Sequence, residues 1–249
     1  MPANALPVFT ALPRSPWSEK ARWALDHHRI DYVEKQYTPM LGVPALRLRL
    51  RRARGPVTVP VLFAGGEAYT DSLDIAQYAE RHGAGTPLFR RGHEESIAHW
   101  NQVSDAAMAA GRALVAARVL ADPQARGEAL PDLVPRPLRR PLEPAARLGI
   151  GYLRKKYRFS DDEHQNRAEL RARLGELRRA LADGRRYLLG GELSYADIAM
   201  ASVLQCVSPV GDQHISLGPA SRRAWTDLEL SGELTDLIEW RDQLYASRR

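Results

Sequence analysis

The 249-residue chain has almost no cysteine, since Cys206 is the only one. One thiol excludes an internal disulfide framework, a cysteine-rich zinc site and an iron–sulfur cluster, and it weakly indicates a reducing compartment. No apolar run approaches the roughly 18–20 residues of a membrane span. The first residues have no basic region and contain prolines, unlike a signal peptide. We therefore expect a cytoplasmic protein with no membrane partner and no metal.

Lysine is scarce as well, because 32 of the 36 Lys and Arg residues are arginine. The formal net charge of +6 suits an anionic small-molecule ligand. A solvated basic surface is nevertheless a simpler explanation than nucleic-acid binding, and we expect no nucleic-acid partner. The densest basic run lies at Arg47–Gly55.

The first 90 residues alternate between strand-like and helix-like segments. The resulting order, β-α-β-α-β-β-α, predicts an α/β sheet with parallel and antiparallel strands. The predicted segments are a strand at 6–12, a helix at 15–30, a strand at 31–37, a basic helix at 44–55 ending at Gly55, two strands around Gly65–Gly66, and a helix at 71–83.

No convincing strand follows residue 94, so the second part of the chain is predicted to be all-α. Six prolines between Pro123 and Pro144 cannot lie within one regular helix, and they predict a loop or a broken helix. We therefore expect an α/β domain at 1–90 and an all-helical domain at 91–249.

Ser15–Pro16 marks the start of the first predicted helix. Serine is a favoured N-cap and proline a favoured first helical residue. Ser15 is thus either a simple cap or a hydroxyl beside helix N–H groups, which favour an anion such as a thiolate.

Val59–Pro60 lies in a strand-like run, where proline cannot donate a ladder hydrogen bond. The pair indicates either a sheet edge or a cis peptide bond. Ten residues later, Thr70 or Asp71 can cap the next helix, with Ser72 in its first turn. Capping needs only one of them, and the N–H groups there would also hold a carboxylate.

Ser194 and Asp197 form a variant of the capping box, with Leu193 and Ile198 placed for a hydrophobic staple. We interpret this motif as structural. Cys206 lies in an apolar helical stretch and is expected to be an inert core residue.

Taken together, three motifs in this sequence resemble those of the soluble glutathione S-transferase superfamily. Residues 15–33 look like its active-site turn and first helix. Residues 59–62 and 69–80 look like its cis-proline strand and glutathione-binding helix, and residues 187–204 like its C-terminal capping-box motif.

The resemblance implies a thioredoxin-like N-terminal domain, an all-α C-terminal domain, a homodimer, and glutathione bound to the first domain. It implies that Ser15 activates the glutathione thiol. It also implies that the Val59 backbone pairs with the glutathione cysteine, that Pro60 is the cis-proline, and that Asp71 and Ser72 hold the γ-glutamyl end.

Further positions follow from the same resemblance. An arginine between Arg47 and Arg54 would hold the glycyl carboxylate, and Ser18 is a rival to Ser15 that falls inside the helix. The second substrate would lie between the domains. Its expected contacts are Leu12, Trp17, Ser104 and Met108.

The resemblance implies a detoxifying enzyme that uses glutathione on a hydrophobic electrophile, in conjugation, isomerisation or dehalogenation. Serine rather than cysteine at position 15 argues against thiol-reductase chemistry. The alternative is a non-catalytic binding or adaptor protein on the same fold.

Overall fold

The computed structural model describes residues 5–131, 134–139, 141–157, 160 and 162–249. Its strands are β1 (Val8–Ala11), β2 (Val33–Gln36), β3 (Val61–Ala64) and β4 (Glu67–Tyr69). Its helices are α1 (Pro16–His27), α2 (Val43–Arg49), α3 (Ser72–His82), α4 (Glu94–Ala121), α5 (Pro123–Glu128), α6 (Arg136–Arg139), α7 (Glu143–Tyr157), α8 (Glu163–Ala180), α9 (Tyr195–Val203), α10 (Pro219–Trp225), α11 (Leu228–Glu233) and α12 (Thr235–Arg248). A short 3-10 helix at Leu204–Cys206 follows α9.

The four strands form one sheet in the order β2-β1-β3-β4. β1 is parallel to β2 and antiparallel to β3, and β4 is antiparallel to β3. The predicted mixed α/β sheet and its element order are confirmed. In the described residues beyond β4, all regular structure is helical, as predicted.

Helices cover both sides of the sheet because alternate strand residues point in opposite directions. One side packs against α1 and α3, through Phe9, Ala11, Leu62, Ala64, Ala21, Leu25, Ile75 and Ala79. The other side packs against α2, through Val8, Val61, Phe63, Val43, Leu46 and Leu50.

Helix α2 ends at Arg49, so the prediction that it continues to Gly55 was wrong. Leu50 is the C-cap, and Arg51 adopts a left-handed backbone with φ 53°. The Arg51 N–H donates to the Leu48 carbonyl and the Arg52 N–H to the Arg47 carbonyl. These are the two bonds of a Schellman motif, which usually has glycine where Arg51 stands. The missing glycine explains why the sequence pattern did not reveal the end.

The described residues belong to two compact units, and neither is continuous in sequence. The first takes in residues from 1–102, 180–202 and 243–249, and it contains the sheet. The second takes in residues from 103–179 and 203–242. The predicted division at residue 90 stays a prediction.

Within the second unit, the proline-rich stretch forms a broken helical path, one of the two predicted forms. Its described part contains α5, α6 and the start of α7. The Asp122 carboxylate caps α5 by accepting the N–H groups of Gln124 and Ala125 at 2.8 and 3.2 Å. Elsewhere in this unit, Arg118 and Arg167 both pair with Asp227, at 2.9 and 2.8 Å.

In the part of the chain that the structure describes, none of the helices combines the length and apolar character required to cross a bilayer.

Candidate functional site

The directions of the strands bring the start of α1 and the start of β3 to one edge of the sheet. β1 ends at this edge and leads into the turn before Ser15. β3 begins at the same edge because it is antiparallel to β1, with Thr10 opposite Val61. Pro60 and Val59 therefore lie at the end of β1 that leads to α1.

The start of α3 lies at this edge too. β4 is antiparallel to β3, and Tyr69 at its end is opposite Leu62 near the start of β3. Asp71 and Ser72 follow within three residues and begin α3. Three of the predicted segments, around Ser15, Val59 and Asp71, thus converge on one edge of the first unit.

Ser15 is the N-cap residue of α1, as predicted, with an extended backbone (φ −81°, ψ 126°). Pro16 occupies the first helical position, and the Ser15 carbonyl accepts the Glu19 N–H at 2.9 Å. The half-buried Ser15 side chain makes no capping hydrogen bond to the described residues around it. Its hydroxyl therefore remains available beside a helix N-terminus, where an anion is favoured.

The rival serine, Ser18, has a different role. Its side chain is fully buried in α1, and its Oγ accepts the Leu12 N–H at 3.2 Å. This bond ties the residue after β1 to the first turn of α1. The Ser18 hydroxyl thus holds the turn that presents Ser15.

A buried ionic cluster fixes α1 one turn beyond Ser15. The fully buried Glu19 carboxylate lies 2.8 Å from Arg22 Nη1 and 3.0 Å from Arg249 Nε. The buried Lys20 Nζ donates to Asn101 Oδ1 at 3.0 Å. Desolvation offsets much of the attraction in a buried pair of this kind, but removal of either partner would leave an uncompensated buried charge. Sequence reasoning missed this cluster, because an acid and a base early in a helix are typical of an exposed surface.

The Val59–Pro60 peptide bond is cis, as the resemblance implies. Pro60 is buried and Val59 is half-buried. Among the described residues, no hydrogen bond engages the Val59 N–H or C=O. The backbone of Val59 is therefore able to pair with an extended peptide at this edge.

The start of α3 combines a cap with a second hydroxyl. The Asp71 side chain accepts the Leu73 N–H at 2.8 Å, so Asp71 caps α3 as predicted. Ser72 is buried, and its hydroxyl makes no hydrogen bond within the described residues. Burial and the nearby Asp71 carboxylate raise the pKa of Asp74.

The arginines between 47 and 54 differ in their surroundings. Arg47 Nη2 donates to the Gly55 carbonyl at 2.8 Å and holds the loop after α2. The Arg49 guanidinium lies 3.8 Å from the centre of the Phe63 ring, and burial lowers its pKa. The remaining three are exposed: Arg51, Arg52 and Arg54.

The residues expected to contact the second substrate fall in both units. Leu12 and Trp17 are half-buried, beside Ser15 in the chain and in the first unit. Ser104 and Met108 are fully buried on α4, in the second unit. A common pocket for these four residues stays a prediction.

The Ser194–Asp197 motif is a buried structural cap, as interpreted from the sequence. Asp197 Oδ2 accepts the Ser194 hydroxyl at 2.6 Å and the Ser194 N–H at 2.8 Å, while Oδ1 accepts the Leu188 N–H at 2.7 Å. Burial raises the pKa of Asp197 against the effect of these bonds. Cys206 is also buried as expected, and burial raises its pKa to about 12.

A cavity of about 310 Å³ lies elsewhere in the first unit, between α3 and the start of α4, where Leu73, Phe89 and Ile97 are among its lining residues. In the ranges that the structure describes, no cluster of His, Cys, Asp and Glu side chains has the arrangement of a metal site.

Two family models match the sequence. The model for "Glutathione S-transferase, N-terminal domain" matches residues 14–82. The model for "Glutathione S-transferase, C-terminal domain" matches residues 131–243. Comparison with curated proteins finds no match.

Many solved structures share the fold. A glutathione S-transferase from Methylobacterium radiotolerans, in complex with glutathione sulfonate, is 18% identical with a TM-score of 0.63, over 98% of this chain and 92% of that one. Glutathione transferase GSTFuA2 from Phanerochaete chrysosporium is 18% identical with a TM-score of 0.63, over 99% of both chains. A glutathione S-transferase from Ceriporiopsis subvermispora, in complex with glutathione, is 20% identical with a TM-score of 0.60, over 97% and 96%.

These structural likenesses concern the fold, which is a thioredoxin-like α/β domain with a four-stranded sheet followed by a helical domain. The two family models match in the expected order and on the expected parts of the chain. The chain belongs to the glutathione S-transferase superfamily.

Proposed function

We propose that this protein is a glutathione transferase of the serine type, in which the Ser15 hydroxyl stabilises the thiolate of glutathione. The observation that carries the proposal is the state of Ser15. Ser15 stands at the N-terminus of α1, and its hydroxyl makes no capping hydrogen bond within the described residues. It lies at the same edge of the sheet as Val59 and Ser72.

Glutathione is a peptide with a carboxylate at each end, an ammonium at the γ-glutamyl end and a thiol, and this edge suits each of these parts. The Val59 N–H and C=O would pair with the cysteine residue of glutathione. Asp71, Ser72 and the first turn of α3 would hold the γ-glutamyl end, where the carboxylate favours a helix N-terminus and the ammonium favours the Asp71 carboxylate. The cis Pro60 belongs to the same segment.

The proposed interactions are strong enough to account for the required fall in the pKa of the glutathione thiol. A free thiol titrates near 8.5, and lowering its pKa by about two units corresponds to roughly 2.7 kcal/mol. A hydrogen bond to a charged group contributes about 1.5–3 kcal/mol, and a helix N-terminus about 0.3–1 kcal/mol more. The Ser15 hydroxyl donates to the thiolate sulfur and α1 supplies the dipole, so no general base is needed.

We propose that the second substrate is a hydrophobic electrophile and that the protein forms a homodimer. The thiolate would attack a hydrophobic electrophile, in conjugation, isomerisation or dehalogenation, with Leu12, Trp17, Ser104 and Met108 contacting it. An arginine between 47 and 54 would pair with the glycyl carboxylate. We expect a cytoplasmic homodimer with a role in detoxification.

Calorimetric titration with glutathione and a conjugation assay with chlorodinitrobenzene test the proposal. Wild type should bind glutathione. Ser15→Ala should lose most turnover with little change in affinity, because the hydroxyl acts on the thiolate rather than on the whole peptide. Ser15→Thr, which keeps a hydroxyl, should retain more turnover than Ser15→Ala.

Ser18→Ala is the matched control. It removes a neighbouring hydroxyl that binds the Leu12 N–H. It should lower stability, and the folded fraction should lose much less turnover than Ser15→Ala, because Ser18 acts only by holding the turn. Unchanged turnover in Ser15→Ala would overturn the role of that residue. Binding without turnover in wild type would instead indicate an adaptor, and no binding at millimolar glutathione would overturn the proposal altogether.

A further inference from the structure

The net charge of this molecule is concentrated in one segment. Residues 35–66 contain Lys35 and five arginines and no acidic residue. The other parts of the chain contain 30 basic and 30 acidic residues. The whole formal charge of +6 therefore comes from the segment that surrounds α2.

Among the described residues, many arginines outside this segment are neutralised, as the pairs of Arg171, Arg178 and Arg222 with nearby carboxylates illustrate. The exposed arginines after α2 are not. No carboxylate of the described residues lies within ion-pair distance of Arg51, Arg52 or Arg54.

The outer side of α2 is apolar, although it is exposed. The inner side packs on the sheet through Val43, Leu46 and Leu50. Pro44, Ala45 and Leu48 are exposed on the opposite side of the helix, and Leu41 is exposed in the turn just before it. A helix with apolar residues on both sides is normally buried on both.

Two leucine side chains on this outer side are largely exposed to solvent. Leu48 is 82% exposed and Leu41 is 74% exposed. Gly42 lets the turn that carries Leu41 pack closely on Tyr37, because a Cβ there would lie 2.8 Å from the Tyr37 ring. Arg51 and Arg52 follow Leu48 by three and four residues, in the exposed segment just past the C-cap of α2.

We propose that the α2 surface, defined by Leu41, Pro44, Ala45, Leu48, Arg51, Arg52 and Arg54, binds the surface of an anionic lipid bilayer. Leucine side chains that project from a surface insert among acyl chains near the headgroups, while adjacent guanidinium groups contact lipid phosphates. The expectation of no membrane partner was based on the lack of a membrane span, which surface binding does not require.

The observations favour a lipid surface over two other occupants. In a symmetric pair of this chain, the two α2 surfaces would face each other. The arginines after α2 in one copy would then lie against the same arginines in the other. A nucleic acid would engage the arginines but gain nothing from exposed Leu41 and Leu48, because its backbone offers phosphates rather than an apolar phase.

Vesicle flotation with the full chain tests the proposal, using vesicles of phosphatidylcholine alone and of phosphatidylcholine mixed with phosphatidylglycerol. Wild type should float with the mixed vesicles only. Leu48→Ser should weaken this binding roughly tenfold, as expected for the loss of one inserted leucine. Arg52→Gln should weaken it as well, and added salt should do the same to wild type.

Matched controls come from the rest of the chain. Leu228 is 84% exposed, so Leu228→Ser removes an equally accessible leucine outside the α2 surface and should not change binding. Arg91→Gln removes an exposed arginine outside it and should have a smaller effect than Arg52→Gln.

Three outcomes would overturn the proposal. The first is no flotation with anionic vesicles. The second is an equal loss in Leu48→Ser and Leu228→Ser. The third is binding that depends on Arg52 but not on Leu48, together with retention on single-stranded RNA, which would indicate a nucleic-acid surface. Glutathione binding is not part of the readout, so the two proposals fail independently.

Discussion

Ser15 and Ser194 occupy the same local position in the first unit, yet the fold uses them differently. Each stands immediately before a helix, and each has the sequence signature of an N-cap. The Ser194 hydroxyl is buried and donates to Asp197, whereas the half-buried Ser15 hydroxyl makes no capping bond. A serine before a helix thus becomes a structural cap or an open site according to whether a carboxylate three residues later is buried with it.

Among the substitutions that test this comparison, Asp197→Ala is expected to lower the free energy of unfolding most. The substitution leaves the Ser194 and Leu188 N–H groups buried without their acceptor, which should cost about 3–5 kcal/mol of unfolding free energy. Urea unfolding measures the loss. Asp197→Asn keeps the shape and one acceptor oxygen but turns the other acceptor into an NH2 donor, so it should lose an intermediate amount. A loss below about 1 kcal/mol in Asp197→Ala would contradict the hydrogen-bond explanation.

Ser194→Ala should have the next largest effect. It removes one 2.6 Å bond to Asp197 but leaves both backbone donors satisfied. We expect a loss of about 1.5–3 kcal/mol, as for hydrogen bonds to charged groups. Thermal unfolding checks the value, and Ser194→Thr, which retains the hydroxyl, is the control.

Asp71→Ala should destabilise the protein by about 1 kcal/mol, the usual cost of losing an N-cap. Its side chain bonds the Leu73 N–H, so here the cap and the proposed glutathione contact are the same residue. Asp71→Ser preserves a cap acceptor and should restore stability without the carboxylate. If the proposed role is right, glutathione affinity measured by calorimetry should stay low in both variants.

Ser15→Ala should have the smallest effect on stability, less than about 0.5 kcal/mol, because no cap bond is lost. Urea unfolding of Ser15→Ala and Ser194→Ala side by side tests the comparison directly. Equal losses in the two variants would show that Ser15 caps α1 in solution.

Much of the fold could be predicted from local pattern. An apolar strand-like run, one period-two run and a glycine turn located the four strands, and Ser15–Pro16 located the start of α1 to the residue. The end of α2 could not be predicted, because Arg51 takes the left-handed position that glycine usually marks. Helix α10 was missed because its seven residues are too few for a clear apolar period.

The residues of the candidate site could be predicted from the sequence, but their hydrogen-bond partners and their burial could not. Ser15 and Ser18 are three residues apart, and sequence could rank them only by their place in the helix. The structure distinguishes them by their partners, since Ser18 binds the Leu12 N–H and Ser15 makes no capping bond within the described residues. Glu19 shows the same limit, because its burial depends on Arg249, which lies 230 residues further along the chain.

The sequence by itself determined the order of the four strands and of the helices among them, the start of α1 and the scarcity of thiols, because these depend on local backbone preferences and on composition. Only the tertiary structure decided which hydroxyls stay uncommitted, which charges are paired and which leucines remain exposed. Those properties depend on what packs against each side chain, and the partners come from distant parts of the chain. Cys206 illustrates both, since composition shows that it is a single thiol, while packing buries it and raises its pKa.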